Sequence, residues 1–319
     1  MKLKGYGWRR VALIGGLIAS ACLASCGGGD QVSQFQPIRV IAFGDESSTI
    51  DSNGRKYTVN AVTSDTGALD CAANPIWVQY VASIYGLVFP QCNVGAQISP
   101  TSLIYAAPNA MVADLPTQID QQLNNDGFSG ADLVTMLIGA NDILSLYAQY
   151  PGIGQDELNA SVAQLGVALA EQVNRVANLG GKVLIATVPD LGLSPFAVRE
   201  EQVNPGRAAV LTALSNAFNG ALRANIEDDG RKIGLVILDE RLVEYNRSPD
   251  SYGIVNTTQG ACSVALPNCT TSTLIADPSS VTGAADGNTW LWADDTHLSA
   301  GGQLTLGQLA AQRLQTNPF

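Results

Sequence analysis

The chain has one histidine in 319 residues, and 17 basic side chains against 28 acidic ones. With a single imidazole, a histidine-built metal centre is out of reach, and the six cysteines do not fall in the C-x-x-C spacing of a structural zinc site. Neither a metal nor any other cofactor is expected. Proton transfer near neutral pH that needs an imidazole must use His297. The shortage of positive charge argues against nucleic acid as a partner, because a polyanion would be repelled over most of the surface. The N-terminal apolar run, Val11 to Ala19, is far shorter than the roughly 20 residues that cross a bilayer.

That run follows Lys2, Lys4, Arg9 and Arg10 and ends in Leu23-Ala24-Ser25-Cys26, the layout of an export signal. Leu-Ala-Ser-Cys resembles the lipobox of bacterial lipoproteins. The resemblance implies that residues 1–25 are removed and that Cys26, rather than Cys22, carries lipid, with more than one acyl chain anchoring it durably. Gly27 rather than Asp beside it resembles lipoproteins passed to the outer membrane, so the expected location is the cell envelope, with membrane contact through the lipid alone. Residues 26–36 read as a flexible tether. Loss of residues 1–25 leaves 13 basic against 28 acidic side chains. The remaining Cys71, Cys92, Cys262 and Cys269 form an even set in an exported chain, which suggests two disulfides. Spacing does not fix connectivity; the local pairs Cys71 with Cys92 and Cys262 with Cys269 are favoured.

Residues 37–319 read as one domain. Continuous apolar runs at 39–43, 102–106, 131–138, 182–188 and 233–238 read as buried strands, with a further short strand at Lys56 to Val59. They alternate with helices expected from Pro75 to Tyr85, Thr117 to Leu123, Asp156 to Leu179 and Gly206 to Glu227, the last two carrying apolar residues at three- and four-residue steps. The alternation predicts a three-layer α/β/α domain around a parallel sheet of about five strands, in an order resembling 2-1-3-4-5. A stretch without periodicity at about 246–289 reads as a disulfide-tied wall of the substrate cleft.

Ligands of open parallel sheets bind beyond the carboxyl ends of the strands. Three polar signals fall there: Gly44-Asp45-Glu46-Ser47-Ser48, Gly139-Ala140-Asn141-Asp142 and Asp294-Asp295-Thr296-His297. In order and spacing they resemble the SGNH, or GDSL, hydrolases, esterases and lipases on a flavodoxin-like sheet. The resemblance implies that Asn141 donates to an oxyanion, that Asp294 orients His297, and that His297 is the base. Two positions depart from the family pattern. Glu46 stands where the family has the nucleophilic serine, and no glycine lies near Tyr105 to Ala110, where the family uses a backbone oxyanion donor.

Ser47 is the leading candidate nucleophile, its own amide joining Asn141 around the oxyanion. Ser48 and Glu46 are the alternatives, Glu46 at the cost of an anhydride intermediate. The expected activity is hydrolysis of carboxylic esters, whether short acyl esters, lipids or acetylated glycans. The competing reading is a site that binds or scaffolds without hydrolysis.

Overall fold

The computed structural model describes residues 35–96 and 99–319, and Phe35–Phe319 form one compact unit. Cys22 and Cys26 lie outside the described residues. The strand Arg39–Gly44 (β1) is central, paired in parallel with Leu103–Ile104 (β2) on one side and Asp132–Leu137 (β3) on the other. Lys182–Ala186 (β4) and Ile233–Val236 (β5) extend the sheet beyond β3, also parallel, so the order along the sheet is 2-1-3-4-5 as expected.

Helices flank this sheet: Trp77–Ile84 (α1), Leu115–Asn125 (α2), Ala140–Tyr147 (α3), Gln155–Asn178 (α4), Pro195–Val203 (α5), Arg207–Asn225 (α6), Leu238–Arg247 (α7) and Ala300–Thr316 (α8). Successive strand side chains face opposite sides, and the core divides accordingly. Ile41, Phe43, Val134, Met136, Val183 and Ile185 pack with residues of α2, α3, α4 and α6. Val40, Ala42, Leu133, Leu137, Leu184 and Val236 pack with α1, α7 and α8. Burial on both faces is why these strands read as unbroken apolar runs rather than alternating ones.

β1 and β3 are also joined by charge. Arg39 and Asp132 are ladder partners, and the guanidinium donates to both carboxylate oxygens, at 2.7 and 3.0 Å. Beyond the strand ends, Gln118 of α2 continues the ladder: its Oε1 accepts from the Gly44 amide at 2.8 Å and its Nε2 donates to the Gly44 carbonyl at 2.9 Å.

The strand expected at Lys56 to Val59 is replaced by an irregular segment. Lys56 is fully buried, and its ammonium donates to the carbonyls of Cys71, Ala73 and Asn74 at 3.0, 2.8 and 2.8 Å. A short antiparallel pair, Ala61–Val62 with Leu69–Asp70, follows instead. Both favoured disulfides, Cys71–Cys92 and Cys262–Cys269, are formed. The loop carrying the second is tied inward: Asn60 donates through Nδ2 to the carbonyls of Pro267 and Cys269, both at 3.0 Å. Cys262 N–H donates to the Ala293 carbonyl at 2.8 Å, immediately before Asp294. Among the described residues no helix is long and apolar enough to cross a membrane.

Candidate active site

Gly44 ends β1 with φ of 133°, and a side chain there would meet the Leu137 carbonyl oxygen at 2.0 Å. Only glycine lets β1 turn this close to β3. The chain then enters a single 3-10 turn, Glu46–Ser48, capped by Asp45, whose Oδ1 accepts the Ser47 N–H at 3.0 Å. The turn aims Glu46 across the end of the sheet.

There the Glu46 carboxylate is held from every side. Its Oε1 lies 2.9 Å from His297 Nε2. Its Oε2 accepts the Asn109 N–H at 2.8 Å and the Asn141 side-chain amide at 3.1 Å. Glu46's own N–H also stabilises the charge. Behind the imidazole, Nδ1 is 2.9 Å from both oxygens of Asp294. Asp294 in turn accepts the backbone N–H groups of Thr296 and His297, at 3.0 and 2.8 Å, so one carboxylate shapes the turn and orients the ring.

Asn141 and Asp142 follow Gly139 at the start of α3 and divide the work. Asn141 Nδ2 faces Glu46 and the Ala110 carbonyl, the latter at 3.1 Å. Asp142 points the other way and accepts the Val112 N–H through both oxygens, at 3.3 and 3.1 Å, fixing the 108–112 loop. Burial pushes the Asp142 carboxyl up to about 6.

Electrostatically the cluster is two carboxylates around one cation. Burial alone would lower the His297 pKa, but hydrogen bonds and charges from Asp294 and Glu46 outweigh it and raise the imidazole to about 10. Burial would raise Glu46, yet the bond to His297 and the amides around it leave its carboxyl below the usual range. Asp45, buried beside Glu46, is pushed up to about 7 by its burial and then by that charge.

The expected residues therefore come together with one reassignment of contacts. His297, Asp294 and Asn141 converge as the motif spacing implied, but the atom on Nε2 belongs to Glu46. Ser47 lines the same small cleft, with Leu144, Pro189 and Leu298 among its other walls. The Ser47 amide, expected in the oxyanion cradle, is bonded to Asp45, and its carbonyl accepts from Gln303 at 3.4 Å. Ser48 is turned into the core, where its hydroxyl accepts the Trp77 indole N–H at 3.0 Å.

Sequence reasoning missed Asn109. It adopts a left-handed conformation, φ 60°, which Asn tolerates better than most residues, and so supplies the backbone donor without a glycine. The dipeptide Pro108-Asn109, a turn signal inside an apolar neighbourhood, was the available clue. Beside the site, Arg199 pairs with Asp295 at the edge of a cleft of about 450 Å³, also lined by Pro195, Val198, Gln202, Thr258, Gln259 and Ile275. Thr258, Gln259, Gly260 and Ile275 of the 246–289 segment line this neighbouring cleft, whereas none of the segment's residues lines the cleft at Glu46 and His297. Among the described residues no group of three or more His, Cys, Asp or Glu side chains is arranged to hold a metal ion.

Comparison with known proteins gives the family context. The phosphatidylcholine-sterol acyltransferase of Aeromonas hydrophila is 25% identical over 238 residues, covering 70% of this chain. The chain spans 65% of that relative's length. Similar solved structures include the acetyl xylan esterase AlAXEase (12% identity, 86% of this chain, 98% of that one, TM-score 0.45). Another is Axe2, an acetylxylan esterase from Geobacillus stearothermophilus (13% identity, 89% of this chain, 98% of that one, TM-score 0.45). The family profile described as GDSL-like Lipase/Acylhydrolase matches residues 40–310. With that match over most of its length, the chain belongs to the GDSL-like lipase and acylhydrolase family, a family of ester hydrolases.

Proposed function

We propose that the protein is a serine-dependent hydrolase of carboxylic esters, tethered to the bacterial envelope through lipid on Cys26. The observation that carries this reading is the convergence of one imidazole, one side-chain amide and two backbone N–H groups on a single carboxyl group. An ester carbonyl entering the cleft would exchange for the Glu46 carboxyl on the same donors, which become the oxyanion cradle. Ser47, on the wall of that cleft, then attacks the carbonyl carbon. His297 takes the hydroxyl proton and returns it to the leaving alcohol, Asp294 holds the ring, and water releases the acyl group. The acyltransferase relative and the esterase neighbours support an ester or lipid ester as substrate.

A second reading is favoured by the 2.9 Å contact between Glu46 and His297. If Glu46 keeps the cradle, the chain binds at this site without cleaving an ester. A fluorophosphonate probe separates the two. Ser47 labelled in the native protein, with label and p-nitrophenyl acetate hydrolysis both lost in H297Q, supports the hydrolase. No labelled serine and no ester turnover leaves the binding protein.

A further inference from the structure

We propose that Glu46 itself is a nucleophile, and that the site hydrolyses small alkylating electrophiles through a glutamyl ester. This goes beyond the ester reading, because it uses Glu46 where it stands. Two donors, the Asn109 N–H and the Asn141 side-chain amide, lie on Oε2 of the enzyme's own carboxyl group rather than around empty space in front of a hydroxyl, the Asn141 amide also reaching Oε1 at 3.3 Å. They are placed to stabilise an oxyanion formed when water adds to Glu46 Cδ, the second half of a covalent mechanism. The first half must then need no oxyanion support. That describes displacement at a tetrahedral carbon, and it disfavours a carbonyl, whose oxygen would compete for the same donors.

The other requirements are met by the same groups. Glu46 and His297, joined through Oε1, both line the cleft, and the cleft, only about 20 Å³ between Leu144, Pro189 and Leu298, suits a short alkyl group. Glu46 is ionised at neutral pH by its bond to His297 and the amides. In the first step Oε1 attacks the carbon bearing a halide, the carbon–halogen bond breaks, and the halide leaves with the electron pair. Alkylation neutralises Glu46 and removes one of the two carboxylates that hold the imidazolium, so His297 gives its Nε2 proton to bulk water and becomes a base; the carboxylic acid left on Glu46 at the end of the cycle returns a proton to it. His297 takes a proton from water, and the hydroxide adds to Cδ. The oxyanion rests on the Asn109 and Asn141 N–H groups. Collapse breaks Cδ–Oε1, and the departing alkoxide takes the proton back from His297. The net change is alkyl halide plus water to alcohol, halide and a proton. Glu46 keeps one oxygen from the water.

Bromoethane is the probe, with bromide release measured by ion chromatography and the peptide 40–55 analysed by fragmentation mass spectrometry. Wild-type protein should release bromide repeatedly and, after one turnover in oxygen-18 water, carry oxygen-18 in Glu46. E46Q should release none. H297Q should stop after one bromide per chain with an ethyl group on Glu46, its later turnover lower by about 10²–10⁴-fold. Melting curves of both variants come first, and the oxygen-18 readout in wild type holds if either fails to fold. The proposal is overturned if Glu46 gains neither ethyl nor oxygen-18. It is equally overturned if ethylation is as fast in urea-unfolded chain. The ester reading is scored on Ser47, so a labelled Ser47 with an untouched Glu46 removes this proposal alone.

Discussion

His297 is bonded through both ring nitrogens to carboxylates, Asp294 on Nδ1 and Glu46 on Nε2, each at 2.9 Å. Because it is the only histidine of 319 residues, its imidazole signals in a proton NMR titration need no assignment. They should show no midpoint near 6.5 and should move only toward pH 10. A folded-state pKa above the unfolded value means stabilisation that is complete below pH 6.5 and lost as pH rises toward 10. The melting-temperature gap between wild type and H297Q should therefore be widest at pH 6 and narrow by pH 10. A midpoint near 6.5 would show that the ion pair does not form in solution.

Replacing Glu46 by serine restores the Gly-Asp-Ser of the family at residues 44–46 and empties the cradle of its carboxylate. E46S should hydrolyse p-nitrophenyl acetate faster than wild type, by at least about 10²-fold if the freed base contributes even the low end of general-base catalysis. Fluorophosphonate should then label residue 46. An unchanged rate would mean that His297, Asn109 and Asn141 do not form working ester machinery around a serine at that position.

Asn141→Ala removes one cradle donor while the Asp142 bonds that fix the 108–112 loop remain. Ester turnover should fall by about 10²–10³-fold, equivalent to about 2.7–4 kcal/mol, with the melting temperature nearly kept. A loss confined to KM would instead assign Asn141 to ground-state binding.

The Arg39–Asp132 pair should matter for folding and not for chemistry. Its carboxylate is fully buried and its guanidinium 12% exposed, and D132A leaves the guanidinium with Asp126 and the Gly127 carbonyl as its remaining partners. The expected cost is about 1.5–3 kcal/mol in urea denaturation, the worth of hydrogen bonds to a charged group. A loss under about 1 kcal/mol would place the pair among surface ion pairs in strength.

Lys56 offers a pH dependence of opposite sign to that of His297. Burial lowers its ammonium to about 8 against 10.5 in the unfolded chain, with Asp70 opposing the shift. The folded state is penalised for the charge below pH 8, and that penalty lifts as pH rises toward 10.5. K56M leaves three carbonyls without their donor, each worth about 1–3 kcal/mol when buried unsatisfied. Its deficit relative to wild type should grow between pH 8 and 10.5. A flat difference would mean that the ammonium reaches water.

The sheet was legible because strands buried on both faces write themselves as unbroken apolar runs, and α4 and α6 because their stripes repeat over four or more turns. The short helices α3, α5 and α7 were not foreseen, each being too brief for periodicity to separate it from a loop. At the site, Asn141, Asp294 and His297 were readable from motif spacing, since each motif is a local turn that fixes its own side chain. Glu46 was visible as a departure, but its bond to His297 spans 251 residues and no local signal announces it. Asn109 was hidden for a related reason: what it contributes is a backbone N–H, set by a dihedral angle rather than by the side chain that the sequence prints. Lys56 looked like part of a strand because nothing nearby in sequence reveals that three carbonyls would converge on it.

Phe35 and Phe319 meet edge to face, with ring centroids 5.7 Å apart, so the two ends of the compact unit are neighbours. A short linker could join them, and the chain could be opened in the exposed turn around Val281, giving a circular permutant whose sheet order is untouched. The segment before Phe35, with the lipid proposed on Cys26, could then be moved to a different face of the domain, separating what the proposed anchor does from what the cleft does.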